Sequence, residues 1–243
     1  MDITDKSQPQ PQILILGAQG SNGSDGAPGV DGVNSEENKT GQDGDNGTES
    51  WIRCHCAGDG TAGAPAESGG GQGGNAKHGL AAPPFSLTAS CFVGQIRIVS
   101  QGGTGGEGGA GGIGGSGAKG GDGGTNCADC LKDGDCNPTS GGTGGDAGNG
   151  GLGGKGGDGG NGGRIEIFFS GNQPTNIVAQ SFGGKPGGPG TGGQPGQPGQ
   201  GGYGEEVDDT RQQAFPGRKG AAGGNLGGGE VGKVGTIKFT REA

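Results

Sequence analysis

Apolar residues in this chain come in short runs separated by long stretches in which glycine recurs every third residue. Gln12–Leu16, Ser50–Cys56, Phe85–Val93, Gln95–Val99, Ile165–Phe169, Asn176–Phe182 and Thr236–Thr240 are each short and rich in β-branched or aromatic residues. They read as strands. Between the fourth and fifth runs the frame of three never slips. Eight triplets run from Gly102 to Thr125 and eight more from Gly141 to Arg164, with only Ala118 and Ala147 replacing one of the two glycines. The loop between them holds Cys127, Cys130 and Cys136. The unit is strand, glycine arm, tip loop, glycine arm, strand.

A flexible linker needs only small polar residues. It has no reason to keep a strict period through sixteen triplets. Period three matches polyproline II geometry, which has three residues per turn and no internal hydrogen bonds. Its N–H and C=O groups point sideways and need partners when buried. Neighbouring arms can supply them if no side chain blocks the approach. Two glycines per triplet clear two faces, and the third residue points outward. Ordering glycine costs more backbone entropy than ordering any other residue, so one arm alone would not fold. At about 3.1 Å per residue, a 24-residue arm spans about 74 Å.

Other stretches keep the frame with one glycine per triplet. These are Gly17 to Gly32, Gly41 to Gly47, and Gly217 to Gly235 with a break at Leu226. In the first of these, Gly17 to Gly32, the single clear face suits an arm at the edge of a bundle. Val33 to Thr40 reads as a polar tip, after which Gly41 to Gly47 return toward the strand Ser50–Cys56 at the base. Gly184 to Gly202 carries prolines at 186, 189, 195 and 198, which fit where no N–H is needed. The expected fold is therefore a bundle or sandwich of polyglycine II helices joined to a small antiparallel sheet or barrel, with essentially no α-helix. Residues 1–11 read as a flexible tail and 12–243 as one domain of repeated hairpins.

Composition supports an interior made of backbone. Gly accounts for 72 of 243 residues, and the apolar types together make up 25%. The 13 prolines fall below the ~15–20% of a collagen triple helix. A net charge of −9, with no basic aromatic patch, argues against nucleic acid as a partner. No apolar stretch approaches the ~18 residues of a membrane helix, so membrane insertion is not expected. The start, Met-Asp-Ile-Thr-Asp, does not read as a signal peptide. Six cysteines in so polar a chain point to an oxidising compartment, and an extracellular or virion or cell-surface location is expected.

Alternating β segments and GGxGGxGG arms resemble several glycine-rich families. Gly153 to Gly163 followed by Ile165 looks like the N-terminal domain of Obg GTPases, although no G-x-x-x-x-G-K-[ST] is present. The whole pattern is similar to the receptor-binding adhesins of T-even-like phage tail fibres. That likeness implies a glycine-helix sandwich whose variable segments bind surface receptors. Glycine arms with cysteines resemble springtail antifreeze proteins. Asn176 to Gly184 resembles a phrase of large glycine-rich bacterial surface proteins.

The candidate chemistry lies in the loops. Cys127, Cys130 and Cys136, with Asp129, Asp133 and Asp135 beside them, could form a disulfide that staples the tip or a three-Cys metal site. Cys54, Cys56 and Cys91 form a second trio, placed at the base. The expected pattern is one disulfide within each trio, because Cα atoms must approach within roughly 7 Å. His55 and His78 are the only histidines, and no nucleophile–base set has workable spacing. No enzyme activity and no cofactor are expected. Loops on rigid scaffolds carry function disproportionately. The binding candidates are accordingly Asp129, Lys132, Asp133 and Asp135 in the central loop. In the 203–215 loop they are Tyr203, Glu205, Glu206, Asp208, Asp209, Arg211 and Phe215.

The function expected first is a non-enzymatic, adhesin-like scaffold presenting tip loops to a cell-surface receptor or partner protein. Self-assembly through arm or sheet edges is a further expectation. An ice-binding protein is the alternative, although Glu107, Lys119, Asp122, Asp146, Lys155 and Asp158 interrupt the outward rows of the central arms. A metal protein using the Cys127/Cys130/Cys136 loop is the second alternative.

Overall fold

The computed structural model describes residues 12–24, 26, 29, 40–50, 53–90, 92 and 94–242. Its strands are β1 (Ile13–Leu16), β2 (Thr48–Ser50), β3 (Arg53–His55), β4 (Phe85–Ala89), β5 (Ile96–Gln101), β6 (Ile165–Phe169), β7 (Ile177–Phe182), β8 (Tyr203–Val207), β9 (Thr210–Gln213) and β10 (Ile237–Arg241). One short helix, α1 (Ala128–Lys132), lies in the central loop. The fold is thus essentially non-helical, with several small sheets.

Two of the sheets form one pole. β1-β5-β7 and β4-β6-β10 are each three-stranded, and all their pairings are parallel. This corrects the expected antiparallel sheet. Every strand that leads out to an arm lies in the first sheet, and every strand that returns from one lies in the second. Alternation along β6 buries Ile165, Ile167 and Phe169. Ile98, Ile165, Ile167 and Ile177 form the core, with Ile15, Phe85, Leu87 and Phe239 packed against it. Each fully buried isoleucine contributes roughly 1.5–3 kcal/mol. The apolar residues are few, and this pole concentrates them.

Among the described residues, six extended arms lead away from this base. Arm A takes in 17–24, 26, 29 and 41–47, arm B 56–84, arm C 102–125, arm D 141–164, arm E 183–202 and arm F 214–236. Arms A, C and E run outward in one layer, and arms B, D and F return in the other. Backbone bonds join the arms at intervals of three. Gly20, Gly23 and Gly26 of arm A donate to the carbonyls of Thr104, Glu107 and Ala110 of arm C. Gly105, Gly108 and Gly111 of arm C donate to Lys185, Gly188 and Thr191 of arm E. Between layers, Gly106 and Gly109 donate to Lys77 and Gly74 of arm B, while Gly154 and Gly157 of arm D donate to Gly109 and Gly106.

Glycine content follows the number of neighbours. Arms C and D each bond to four other arms and carry two glycines per triplet. Arms A and F lie at layer edges and carry one. In arm E, Pro186, Pro189, Pro195 and Pro198 take the frame position that in arm C donates in-layer to arm E. Among the described residues no arm lies beyond arm E in its layer, and proline has no N–H to leave unpaired.

The outward residues also do more than face solvent. Several of them donate their own N–H to a short side chain of the adjacent arm. The Asp59 carboxylate takes the Ser140 N–H at 2.7 Å, and Asn75 Oδ1 takes that of Lys155 at 2.9 Å. Asp146 and Asn149 of arm D accept from Arg218 and Ala221 of arm F at 2.7 and 2.8 Å. Asn149→Ala is expected to cost about 1 kcal/mol, the net worth of one such bond. A thermal melt beside wild type checks it.

Segment 41–47 corrects the expected path of the first arm. Gly41, Gly44 and Gly47 donate to Lys119, Asp122 and Thr125. They therefore run in the same direction as Gly17 to Gly29 rather than back toward the base. Of the expected tip Val33 to Thr40, only Thr40 lies within the described residues, where it bridges in parallel to Lys119. The first hairpin is β2–β3, and it stands at the far pole.

Candidate functional site at the far pole

Three connections meet at the far pole: the β2–β3 hairpin, the loop 126–140 with α1, and the β8–β9 hairpin. Two disulfides tie the first to the second. Cys54 pairs with Cys130 and Cys56 with Cys136, with Cα–Cα separations of 5.9 and 5.4 Å. Both bonds join one expected trio to the other, which corrects the expectation of bonds within each trio. The distance rule was sound; the placement of Cys54 and Cys56 at the base was not, because 41–47 continues outward. Cys91 lies outside the described residues. Cys127 is a free thiol, half-buried.

The metal reading of Cys127, Cys130 and Cys136 is corrected as well, since two of the three sulfurs are bonded in disulfides. A different group, Glu49, Cys127 and Cys130, brings donor atoms within 4.8 Å of one another. Cys130 is the sulfur bonded to Cys54 and so lacks the thiolate charge of a zinc ligand.

A buried polar cluster joins all three connections. Glu205, 6% exposed, accepts from the Asn126 N–H at 2.6 Å through Oε1 and from Asn126 Nδ2 at 2.7 Å through Oε2. Its own N–H donates to the Thr139 carbonyl at 3.0 Å. Asn126 Oδ1 accepts from the Ala57 N–H at 2.7 Å, which reaches the end of the first hairpin. Both carboxylate oxygens of Glu205 are thus engaged inside the protein. Asn126 and Thr139 were not among the expected residues. Nothing in a lone Asn after a glycine arm marks it as a hub, because the partners that join the three connections lie 69 and 79 residues away.

The other expected residues stay at the surface. Asp129, Lys132, Asp133 and Asp135 are exposed on the central loop. Tyr203, Glu206, Asp208, Asp209 and Arg211 are exposed on the β8–β9 hairpin. Asp208 and Asp209 form its two-residue turn, with φ of 50° and 58°; that left-handed pair matches the strand twist. Arg211 lies 5.6 Å from the Tyr203 ring centroid and donates to the Gly204 carbonyl. Phe215 is 82% exposed. Between the central loop and this hairpin lies a cleft of about 630 Å³, lined by Thr139, Ser140, Val207, Thr210, Gln212 and Phe215 among others. Of the expected residues, Glu205 and Phe215 border this cleft; Asp129, Lys132, Asp133 and Asp135 do not.

Asp122 pins the β8–β9 hairpin to arm C. Its Oδ1 accepts from the Tyr203 N–H at 2.9 Å and lies 3.2 Å from Lys119 Nζ. The Tyr203 bond, aided by Lys119 and Arg211 and opposed by partial burial, holds the carboxyl below the usual carboxylate range. A pKa lowered by folding contributes stability above the unfolded value of about 3.9, and the contribution is lost as pH falls through the folded value. Asp122→Asn keeps an acceptor oxygen but does not ionise. Acid titration of unfolding below about pH 4 should therefore show a shallower loss in the variant than in wild type.

No family model matches the chain, and no curated protein matches it. Among solved structures, it is similar to the springtail antifreeze protein from Granisotoma rainieri, a nine polyproline type II helical bundle. The two are 24% identical over 75% of this chain and 93% of that one. The TM-score of 0.14 is too low to carry an argument. Among the described residues no helix is long and apolar enough to cross a membrane, and the two disulfides suit an oxidising compartment.

Proposed function

We propose that this chain is a non-enzymatic recognition protein, in which a rigid slab of polyglycine II helices presents the far pole to a cell-surface receptor or partner protein. One observation carries the reading. The charged and aromatic connections gather at one pole, where two disulfides and the Asn126–Glu205–Thr139 cluster fix them relative to one another. Pre-fixed loops lose less entropy on binding than free ones. The cleft beside Val207 and Phe215 offers an apolar anchor with a polar rim, the usual anatomy of a recognition surface.

Binding of labelled protein to intact cells tests this. Phe215→Ala with Val207→Ser should abolish binding, while Lys155→Gln on the arm D face should leave it unchanged. Binding that ignores the cleft substitutions would remove the far pole from the reading. Amide exchange tests the helix assignment separately. Slow exchange is expected at Gly109, Gly112 and Gly115, and fast exchange throughout the arms would make them flexible linkers.

Ice binding is the second reading, favoured by one uncharged patch. Ala110, Ile113 and Ser116 of arm C lie beside Thr191, Gln194 and Gln197 of arm E, held by in-layer bonds from Gly111, Gly114 and Gly117. Glu107 and Lys119 bound the patch at its ends. Thermal hysteresis that Thr191→Lys abolishes would favour ice over a receptor.

A further inference from the structure

Cys127 places a third sulfur against an existing disulfide. Its Sγ, the Cys130 Sγ and a Glu49 carboxylate oxygen all lie within 4.8 Å of one another. Cys130 is bonded to Cys54, and the β2–β3 register sets Glu49 directly opposite Cys54. Cys127 is the residue before α1, in extended conformation, and Cys130 lies within the helix. The two stand in Cys-x-x-Cys spacing, which closes readily into a disulfide of its own. Cys130 thus has two sulfurs competing for it: one from the first hairpin and one from its own loop. Among the described residues, the Cys56–Cys136 bond has no such third sulfur beside it.

We propose that Cys127 and the Cys54–Cys130 bond form a thiol–disulfide exchange centre. The Cys127 thiolate attacks Cys130 Sγ. A Cys127–Cys130 bond forms as the Cys54–Cys130 bond breaks. The bonding electron pair leaves on the Cys54 sulfur, which takes up a proton in place of the one Cys127 gave to solvent. One disulfide and one thiol are present before and after, so no oxidant or reductant is consumed. The exchange moves the free thiol from the central loop to the β2–β3 hairpin. It also releases the hairpin at Cys54, while Cys56–Cys136 keeps it tethered. The far pole then has two covalent forms that differ in how firmly the first hairpin is held against α1.

Disulfide mapping of the intact protein tests this. The protein is held in mildly alkaline buffer without added thiol, blocked with N-ethylmaleimide, digested and sequenced by mass spectrometry. Label is expected on both Cys127 and Cys54, with Cys54 carrying about a tenth of their sum, the upper end for a minor state. A Cys127–Cys130 crosslink should appear in the same proportion. Label on Cys127 alone, with Cys54–Cys130 intact throughout, overturns the proposal. In Cys127→Ser the Cys54 label should vanish; if it persists, the Cys54 thiol comes from reduction rather than exchange, and the proposal fails. In Cys54→Ser, oxidised glutathione should convert the remaining pair to Cys127–Cys130. A stable glutathione adduct on Cys127 instead would show that the two sulfurs do not reach each other.

Discussion

Gly151→Val is expected to destabilise the protein by more than about 4 kcal/mol, whereas Leu152→Val, one residue along, should stay within about 0.5 kcal/mol. A Cβ on Gly151 would meet the Gly71 carbonyl oxygen at 2.0 Å and its carbon at 2.6 Å. That carbonyl cannot step aside cheaply, because it accepts from the Gly112 N–H at 2.8 Å. Gly151 itself donates to Gly112 and accepts from Gly193, each at 2.8 Å. Moving arm D therefore strains its bonds to arms C and E, and moving arm B breaks the bond to arm C. Interiors of this density do not relax around an added group. Leu152 points outward and is half-exposed, so valine there changes little but exposed surface. At roughly 2–4 °C per kcal/mol for a chain of this size, the two melting temperatures should differ by about 10 °C or more. Equal melting temperatures would mean that the arms do not pack.

Loss of both disulfides is the second large effect. Cys54–Cys130 and Cys56–Cys136 close sequence separations of 76 and 80 residues. In the chain-entropy account the first such bond is worth about 4–5 kcal/mol. The second adds much less, because the first already holds its ends close together. Cys54→Ser with Cys56→Ser should therefore cost about 4–5 kcal/mol in all, and Cys56→Ser alone only a fraction of that. The damage should be local in the native state. Amides of β2, β3 and loop 126–140 should gain a local opening route, while those of β5 and β6 in the isoleucine core, which open only on global unfolding, should lose protection only by the fall in global stability. Native-state openings that expose base and far pole together would contradict the separation of the two poles.

Much of the fold was legible because it rests on local pattern. The frame of three around Gly102–Thr125 and Gly141–Arg164 marked the central pair of arms. One glycine per triplet in the stretch from Gly17 marked an edge arm, and arm A lies at a layer edge. Alternation in Ile165–Phe169 marked a half-buried strand. Of the far pole, the 126–140 and 203–215 segments were legible as loops, though not their roles, whereas Ser50–Cys56 read as a strand at the base. Glu205 read as a binding carboxylate because its partners, Asn126 and Thr139, are distant in sequence, and only the packed pole shows that both its oxygens are engaged.

By itself, then, the sequence determined most of the elements: which segments extend, apart from β2, β8 and β9, how many faces each arm keeps clear, and where apolar side chains are dense enough to form a core. Only the tertiary structure decided direction and pairing. A period of three reads the same whether an arm continues or returns, so the interruption before Gly41 could not be told from a turn. That one ambiguity carried Cys54 and Cys56 to the wrong pole and hid both disulfides. Parallel pairing of β1-β5-β7 and β4-β6-β10 was hidden for a related reason. Strand pattern specifies which face is buried, but parallel order follows from outgoing arms sharing one layer and returning arms the other. That sorting is fixed by backbone hydrogen bonds from glycines to residues some 80 positions away, such as Gly105 to Lys185, and a glycine carries no side chain to announce its partner.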